Sequence, residues 1–428
     1  MNEHFAITPE QGPPLAIPLS FFVSGAIFLG VGGALILNDG AAILALPYLP
    51  RTLALVHLET LGFLATVMVG AAYQLIPVVG GAPLPRRPPA HLLLAGLIGG
   101  TASLALGFMS GAPLLLSGGA GLLVLSLCCF AALALLALLR SRVRSETVLG
   151  MRLASLALVV TALLGVALVS ARLGSWPGSA APRVLLVHVG IALGAWIGGL
   201  TAAAAWQVVP MFYLTRPFPR PMRRTILGLI ALSLIAAVLG LAAELRAALL
   251  LLALAPLSTA VLLLGPLTTA KLLWQRKRRR VGESVRFWWL SLAALLGAGL
   301  ALGWALHAPE PRWQLLFGWL AIVGWAGLLV HGMLSRIVPF LVWLHGRARP
   351  SGQDLNMRAL LPEARVKESW IVHGLSVLLG AAGIALGSDL LCRAAGAGLV
   401  LTSLAMLRVV LLPLLRGRAA LAKPAPIG

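Results

Sequence analysis

Charged side chains are scarce in this sequence, and acidic ones are the scarcest. Of its 428 residues 11% are charged and 60% are hydrophobic, with 12 Asp and Glu against 33 Lys and Arg. Soluble domains use charged residues about twice as often, roughly a quarter of the chain, to build a surface that water can solvate. The composition therefore excludes an ordinary soluble protein and predicts an integral membrane protein.

Cysteine is also rare. The three thiols, Cys128, Cys129 and Cys392, lie in or beside apolar segments and do not have metal-ligand spacing. The sequence also has no pair of cysteines of the kind to which a c-type heme is attached. We expect all three thiols to be buried structural side chains.

Twelve apolar runs are long enough to cross a bilayer, which takes roughly 20 helical residues. They fall near residues 16–38, 52–79, 91–110, 113–139, 149–171, 185–212, 225–243, 247–273, 287–306, 313–343, 369–387 and 390–415. We predict an all-α integral membrane fold with twelve transmembrane helices. The outer connections, such as GSWPGSAAPR, are too short for a soluble redox domain.

The net charge of +21 comes from an uneven distribution of Lys and Arg. With the amino terminus inside, the inner loops and the carboxyl tail hold 23 of these residues and the outer loops hold 6. This asymmetry predicts that both termini are cytoplasmic. A preference for anionic lipid follows from the basic inner loops, so nucleic-acid binding is not needed to explain the charge.

Three similar segments, YQLIP, WQVVP and SRIVP, end at Pro77, Pro210 and Pro339, which are 133 and 129 residues apart. An Arg-Pro pair starts ten residues after each proline, and we expect each proline to end a helix. Chance similarity among helices rich in Leu, Ala and Gly is the alternative to a true repeat. The repeat predicts one transmembrane domain made of three four-helix units, at residues 1–144, 145–284 and 285–428.

This organisation resembles the catalytic subunit of the heme-copper oxidase superfamily, including the nitric oxide reductases and C-type oxidases. The specific likeness is GAAYQLIP at the end of the second helix and GWAGLLVHGMLSRIVPFLVW on the tenth. The resemblance implies three groups of four helices, metal ligands on the second, sixth, seventh and tenth helices, and a bacterial-type inner membrane as the location. His57 stands where the family places its second-helix ligand to the low-spin heme.

The sequence departs from that family in its histidines. It has 8 in total, the predicted seventh helix TILGLIALSLIAAVLGLAA has none, and the paired ligand positions of the tenth helix are Phe317 and Trp319. The family's binuclear centre therefore cannot be assembled in the family manner. We expect no copper, no oxygen or nitric oxide reduction by the family mechanism, and at most one b-type heme, held near the outer face by His57.

His57, His188 and His331 are the candidate cofactor ligands, and His373 is a further one. A histidine inside a membrane is a functional candidate by default, but a neutral ring bonded to a carbonyl is the plainer alternative. Counted from the prolines, His57 and His188 are level, whereas His331 lies roughly 18 Å deeper at about 1.5 Å per residue. We therefore do not expect His57 and His331 to share an iron unless the tenth helix is shifted. Glu59 is placed to orient the His57 ring or to complete a polar entrance.

Three functions fit these observations. The first is a membrane protein that retains one b-type heme for electron transfer, heme handling or nitric oxide tolerance. The second is a metal-free accessory or assembly subunit of a respiratory complex, and the third is a transporter of small solutes or metals. Many transporter folds use inverted repeats, whereas these repeats all run in one direction, so the third is disfavoured. The lipid bilayer and respiratory subunits are the expected partners, and no catalytic residue is indicated.

Overall fold

The computed structural model describes residues 12–85, 89–277, 282–308, 310–347 and 355–421. Over these ranges the chain forms helices and no β-strand, and 12 helices are long and apolar enough to cross a membrane. They are α1 (Ala16–Leu44), α2 (Pro50–Gly80), α3 (Pro89–Ser110), α4 (Pro113–Arg140), α5 (Glu146–Arg172), α6 (Gly178–Tyr213), α7 (Arg220–Ala242), α8 (Ala247–Trp274), α9 (Val285–His307), α10 (Pro311–Arg347), α11 (Glu363–Leu386) and α12 (Asp389–Leu421). The prediction of an all-α membrane protein with twelve spanning helices is confirmed.

The helical state follows from the apolar composition of the spans. In lipid no water can bond to a free N–H or C=O group, so each segment must satisfy its backbone internally, as a helix does. Pro50, Pro113 and Pro311 occupy the first turns of α2, α4 and α10, where the missing N–H has no partner to lose. Local sequence therefore sets where several spans begin.

The chain divides into two compact units. The first comprises Met1–Arg86 and Val281–Gly428 and contains α1, α2 and α9 to α12. The second comprises Arg87–Arg280 and contains α3 to α8. Within the first unit α1 packs along α12 and α2, α11 packs on α12, and α9 packs on α10. The predicted division into three four-helix units remains a prediction.

Small residues let helices of the first unit approach closely. A Cβ atom added at Gly33 of α1 would lie 2.8 Å from Cβ of Leu399 and 2.9 Å from the carbonyl oxygen of Gly396, both on α12. The hydroxyl of Ser403 on α12 donates to the carbonyl oxygen of Ala26 on α1 at 2.6 Å. Close backbone contact and interhelical hydrogen bonds are the forces that remain when lipid is as apolar as the side chains.

Several spans contain a π-helical segment, in which the helix is locally wider than an α-helix. These segments are Leu58–Ala65 in α2, Ile191–Gly198 in α6, Thr259–Leu264 in α8 and Leu320–Gly327 in α10. In α2, α6 and α10 the segment runs from 19 to 12 residues before Pro77, Pro210 and Pro339 respectively. The three repeated segments thus each contain a π-helical segment, and it lies at the same distance from the equivalent proline in each.

The three prolines lie inside their helices, and the prediction that each one ends a helix is wrong. Three residues follow Pro77 in α2 and Pro210 in α6, and eight follow Pro339 in α10. A membrane helix tolerates an internal proline because neighbouring groups can satisfy the carbonyl that it leaves free. α2 ends instead where Gly81 adopts a left-handed conformation, with φ of 62°, which glycine takes without strain.

The cysteines differ in their exposure. Cys392 is buried as predicted, whereas Cys128 is half-buried and Cys129 is exposed on the surface of α4. Adjacent residues of a helix point about 100° apart, since a turn has 3.6 residues, so two neighbours rarely share one buried face. The prediction of three buried thiols is correct for Cys392 alone.

Candidate functional site

Two histidines on neighbouring helices face each other inside the first unit. Nδ1 of His331 on α10 lies 3.2 Å from Nδ1 of His373 on α11, and the ring centroids are 5.4 Å apart. Both side chains are fully buried, with 0% exposure. Each residue lies in the middle third of its helix, so the pair is far from either helix end.

The π-helical segment of α10 supplies the backbone partner of this pair. Nε2 of His373 lies 3.2 Å from the carbonyl oxygen of Val323, which belongs to the segment Leu320–Gly327. A Cβ atom at Gly327 would lie 3.4 Å from Nε2 and Cε1 of His373, so the imidazole lies against this turn of α10. Irregular turns of this kind are frequent at functional sites.

Nε2 of His331 is buried and has no hydrogen-bond partner in the described part of the chain. The ring of Phe287 on α9 packs against this imidazole, with 4.9 Å between the ring centroids. Over the same residues, no group of three His, Cys, Asp or Glu side chains is arranged to hold a metal. A buried polar atom without a partner costs about 1–3 kcal/mol, so this nitrogen is a position where a ligand would recover free energy.

His57 lies in the first part of α2 and is half-buried. Its Nδ1 lies 2.7 Å from the carbonyl oxygen of Leu53, one turn earlier in the same helix. A carbonyl oxygen only accepts, so Nδ1 carries the proton and Nε2 of the neutral ring carries the lone pair. The backbone thus holds His57 in its Nδ1–H tautomer.

His188 belongs to the second unit and is also half-buried. Its Nδ1 lies 3.0 Å from the carbonyl oxygen of Thr161 on α5. A Cβ atom at Gly165 would lie 3.3 Å from Cε1 of His188, so the ring rests against a small residue. The same reasoning places its proton on Nδ1 and its lone pair on Nε2.

The sequence analysis identifies His331 and His373 as separate candidate ligands but does not predict that the two side chains are in contact. The predicted eleventh helix begins at residue 369, which places His373 near the helix end. The observed α11 begins at Glu363, and its first turns contain charged residues that lower the hydropathy of the window. His373 therefore lies ten residues inside the helix, at a depth where it can meet His331.

Glu59 is buried, with 3% exposure, and both of its carboxyl oxygens lack a hydrogen-bond partner in the described residues. Gly32 of α1 faces this carboxyl group, and a Cβ atom there would overlap Oε1 of Glu59. The suggestion that Glu59 orients His57 through a hydrogen bond is wrong. Residues two apart in a helix do not face each other.

Phe317 and Trp319 are the two positions on α10 where the resemblance would place metal ligands, and both are aromatic. Nε1 of Trp319 donates to the carbonyl oxygen of Val377 on α11 at 2.9 Å, and the side chain is buried. Gly380 leaves room for the indole ring, because an added Cβ atom would overlap it. Phe317 is half-buried, and α7 contains no histidine. Trp319 thus helps to pack α10 against α11.

No model of a known protein family matches the chain, and no curated protein matches it. The resemblance to the heme-copper oxidases therefore rests on helix number, on the repeated segments and on the positions of individual residues.

Proposed function

We propose that this chain is a membrane protein of the heme-copper oxidase type that binds one b-type heme and serves in electron transfer. The observation that carries the proposal is the buried Nε2 atom of His331, which has no partner among the described residues. Histidine nitrogen is a common axial ligand of heme iron. A ligating histidine usually has its other ring nitrogen hydrogen-bonded, as Nδ1 of His331 is to His373.

The residues present fit a heme ligand better than a copper centre. Copper in the family manner needs several histidines converging on one ion, whereas α7 has none and Phe317 and Trp319 stand on α10. A single buried imidazole nitrogen is enough to supply one axial position. When bound, the heme would supply reversible one-electron transfer, and we propose no copper and no oxygen or nitric oxide reduction by the family mechanism.

Of the other two candidate histidines, His57 belongs to the same unit as His331. Its proton is held on Nδ1 by the backbone carbonyl of Leu53. His57 shares the first unit with His331 and directly precedes the π-helical segment Leu58–Ala65, which contacts the segment Leu320–Gly327. Because these two π-helical segments lie at the same distance from Pro77 and Pro339, His57 and His331 differ in depth by roughly 18 Å at about 1.5 Å per residue, and His57 is too far away to bind the same iron.

The common position of the π-helical segments supports the threefold repeat. Insertion of a π turn at the same distance from Pro77, Pro210 and Pro339 is hard to reconcile with chance similarity of apolar helices. We therefore propose that residues 1–144, 145–284 and 285–428 are related four-helix units. The asymmetry of basic residues supports cytoplasmic termini in a bacterial-type inner membrane.

The test is a visible spectrum of the full-length protein, purified in detergent and supplied with heme, with heme and copper measured per chain. We expect one b-type heme, no stoichiometric copper, and loss of the heme spectrum in His331→Ala. The matched control is His345→Ala, since His345 lies on the same helix with Nδ1 bonded to the carbonyl oxygen of Leu341 at 2.9 Å.

In His57→Ala we expect the heme spectrum to be unchanged, because His57 differs in depth from His331 by roughly 18 Å. A heme spectrum that survives His331→Ala unchanged would overturn the assignment of His331. A protein that takes up no heme would instead favour the metal-free accessory subunit. Equimolar copper with a heme that binds carbon monoxide would favour an oxidase-type reaction centre.

A further inference from the structure

The hydrogen bonds of the histidine pair determine which ring nitrogen carries each proton. The carbonyl oxygen of Val323 can only accept, so Nε2 of His373 must donate. A neutral His373 ring then presents Nδ1 as an acceptor. The 3.2 Å contact between the two Nδ1 atoms is a hydrogen bond only if His331 donates. His331 is left with its lone pair on Nε2.

The opposite arrangement would require a charged ring. If His373 donated from both nitrogens it would be an imidazolium, and Nε2 of His331 would be a buried N–H without an acceptor. An ionised group with no counter-charge is costly in an apolar interior. In the described residues no Asp or Glu completes a ligand-like group of three with the two histidines. The neutral arrangement is the one that this environment favours.

We propose that His373 is a positioning residue that fixes His331 in its Nδ1–H tautomer. The carbonyl oxygen of Val323 holds the proton of His373 on Nε2. Nδ1 of His373 in turn holds the proton of His331 on Nδ1, and the lone pair on Nε2 of His331 is kept for a ligand. Val323 in the π-helical segment of α10 thus fixes the tautomer of His331 indirectly, through the ring of His373 on α11.

This arrangement has a consequence for the ligand, which rests on the proposed heme function. When the ring nitrogen that does not bind the metal donates a hydrogen bond, the orientation of the ligating imidazole is fixed. The nitrogen that binds the metal also becomes more basic. Loss of such a partner typically weakens metal binding by about 10–100-fold. His373 is therefore expected to affect heme affinity and the reduction potential without touching the iron.

Two substitutions of similar size separate positioning from packing. His373→Asn places a carbonyl oxygen close to the position of Nδ1, where it can accept the proton of His331. His373→Leu fills the space but accepts nothing. Both variants lose the bond to Val323 or weaken it, so a difference between them reports on the His331 contact. The thermal stability of each variant shows whether it folds.

The first readout needs no heme. In heme-free, full-length protein with ¹⁵N-labelled histidine, protonated and unprotonated ring nitrogens have widely separated chemical shifts, and His331→Ala assigns the signals of His331. We expect a proton on Nδ1 and none on Nε2 in the unsubstituted protein and in His373→Asn. In His373→Leu we expect the ring to lose this single tautomer. A proton on Nε2 in the unsubstituted protein, or an unchanged tautomer in His373→Leu, would overturn the proposal.

The second readout is the heme dissociation constant, together with the reduction potential. We expect His373→Leu to raise the dissociation constant by about 10–100-fold and His373→Asn to raise it less. Equal dissociation constants in the two variants would contradict the proposed effect of His373 on heme affinity. If the ¹⁵N spectra agree with the proposal while His331→Ala still binds heme, the proposed function fails and the role of His373 in fixing the tautomer stands.

Discussion

The carboxyl group of Glu59 on α2 fills the space that Gly32 leaves on the facing side of α1. A Cβ atom at Gly32 would overlap Oε1 of Glu59 and would lie 3.0 Å from its Cδ. Both carboxyl oxygens are without a hydrogen-bond partner in the described residues. Glu59 therefore packs tightly against Gly32, although its carboxyl group makes no hydrogen bond in the described residues.

We expect Glu59→Met to stabilise the protein by about 1–3 kcal/mol, because it removes an unsatisfied buried polar group and keeps a side chain of similar length. The measurement is the unfolding of the purified protein in detergent. A large loss of stability in Glu59→Met would show that the carboxyl group has a partner that contributes to folding.

Gly32→Ala should destabilise the protein because its Cβ atom has no room beside Glu59. The penalty should fall when Glu59→Ala is combined with it, since the overlapping group is then gone. Gly303→Ala on α9 is the control, because no atom lies within 4 Å of the added Cβ atom. Equal effects at Gly32 and Gly303 would rule out the contact.

The next prediction concerns the junction of α10 and α11. Gly380→Ala should cost about 1–3 kcal/mol, since the added Cβ atom would overlap the indole of Trp319 and force the helices apart. In a Trp319→Leu background the same change should cost less. Thermal unfolding of the four proteins of this cycle tests the prediction, and additive effects would mean that the two residues do not touch.

The last prediction concerns orientation in the membrane. Reporter fusions after Arg144 and after Arg280 should both report a cytoplasmic location, because the basic residues are concentrated on that side. A fusion after Gly174, in the connection between α5 and α6, should report the opposite side and serves as the internal control. A cytoplasmic signal at Gly174, or an outer signal at Arg144 or Arg280, would contradict the topology.

The spanning helices were predictable because helix formation in lipid depends mainly on the local sequence. A run of apolar residues must satisfy its own backbone hydrogen bonds, so length and composition are enough to locate each span. The ends were less predictable: α11 starts at Glu363 rather than near residue 369, and α10 extends to Arg347 rather than residue 343. Hydropathy marks the apolar centre of a span, whereas the helix continues into residues that carry charge.

The sequence by itself determined twelve apolar helices, the spacing of Pro77, Pro210 and Pro339, and the histidines available as ligands. Only the tertiary structure decided that α10 contains a π-helical segment, that His373 bonds to Val323 there, and that His331 has its partner on α11. Depth can be counted along a single chain segment. Which side chains meet depends on how adjacent helices are rotated and how closely their small residues let them approach, and this is a property of packing between distant parts of the chain.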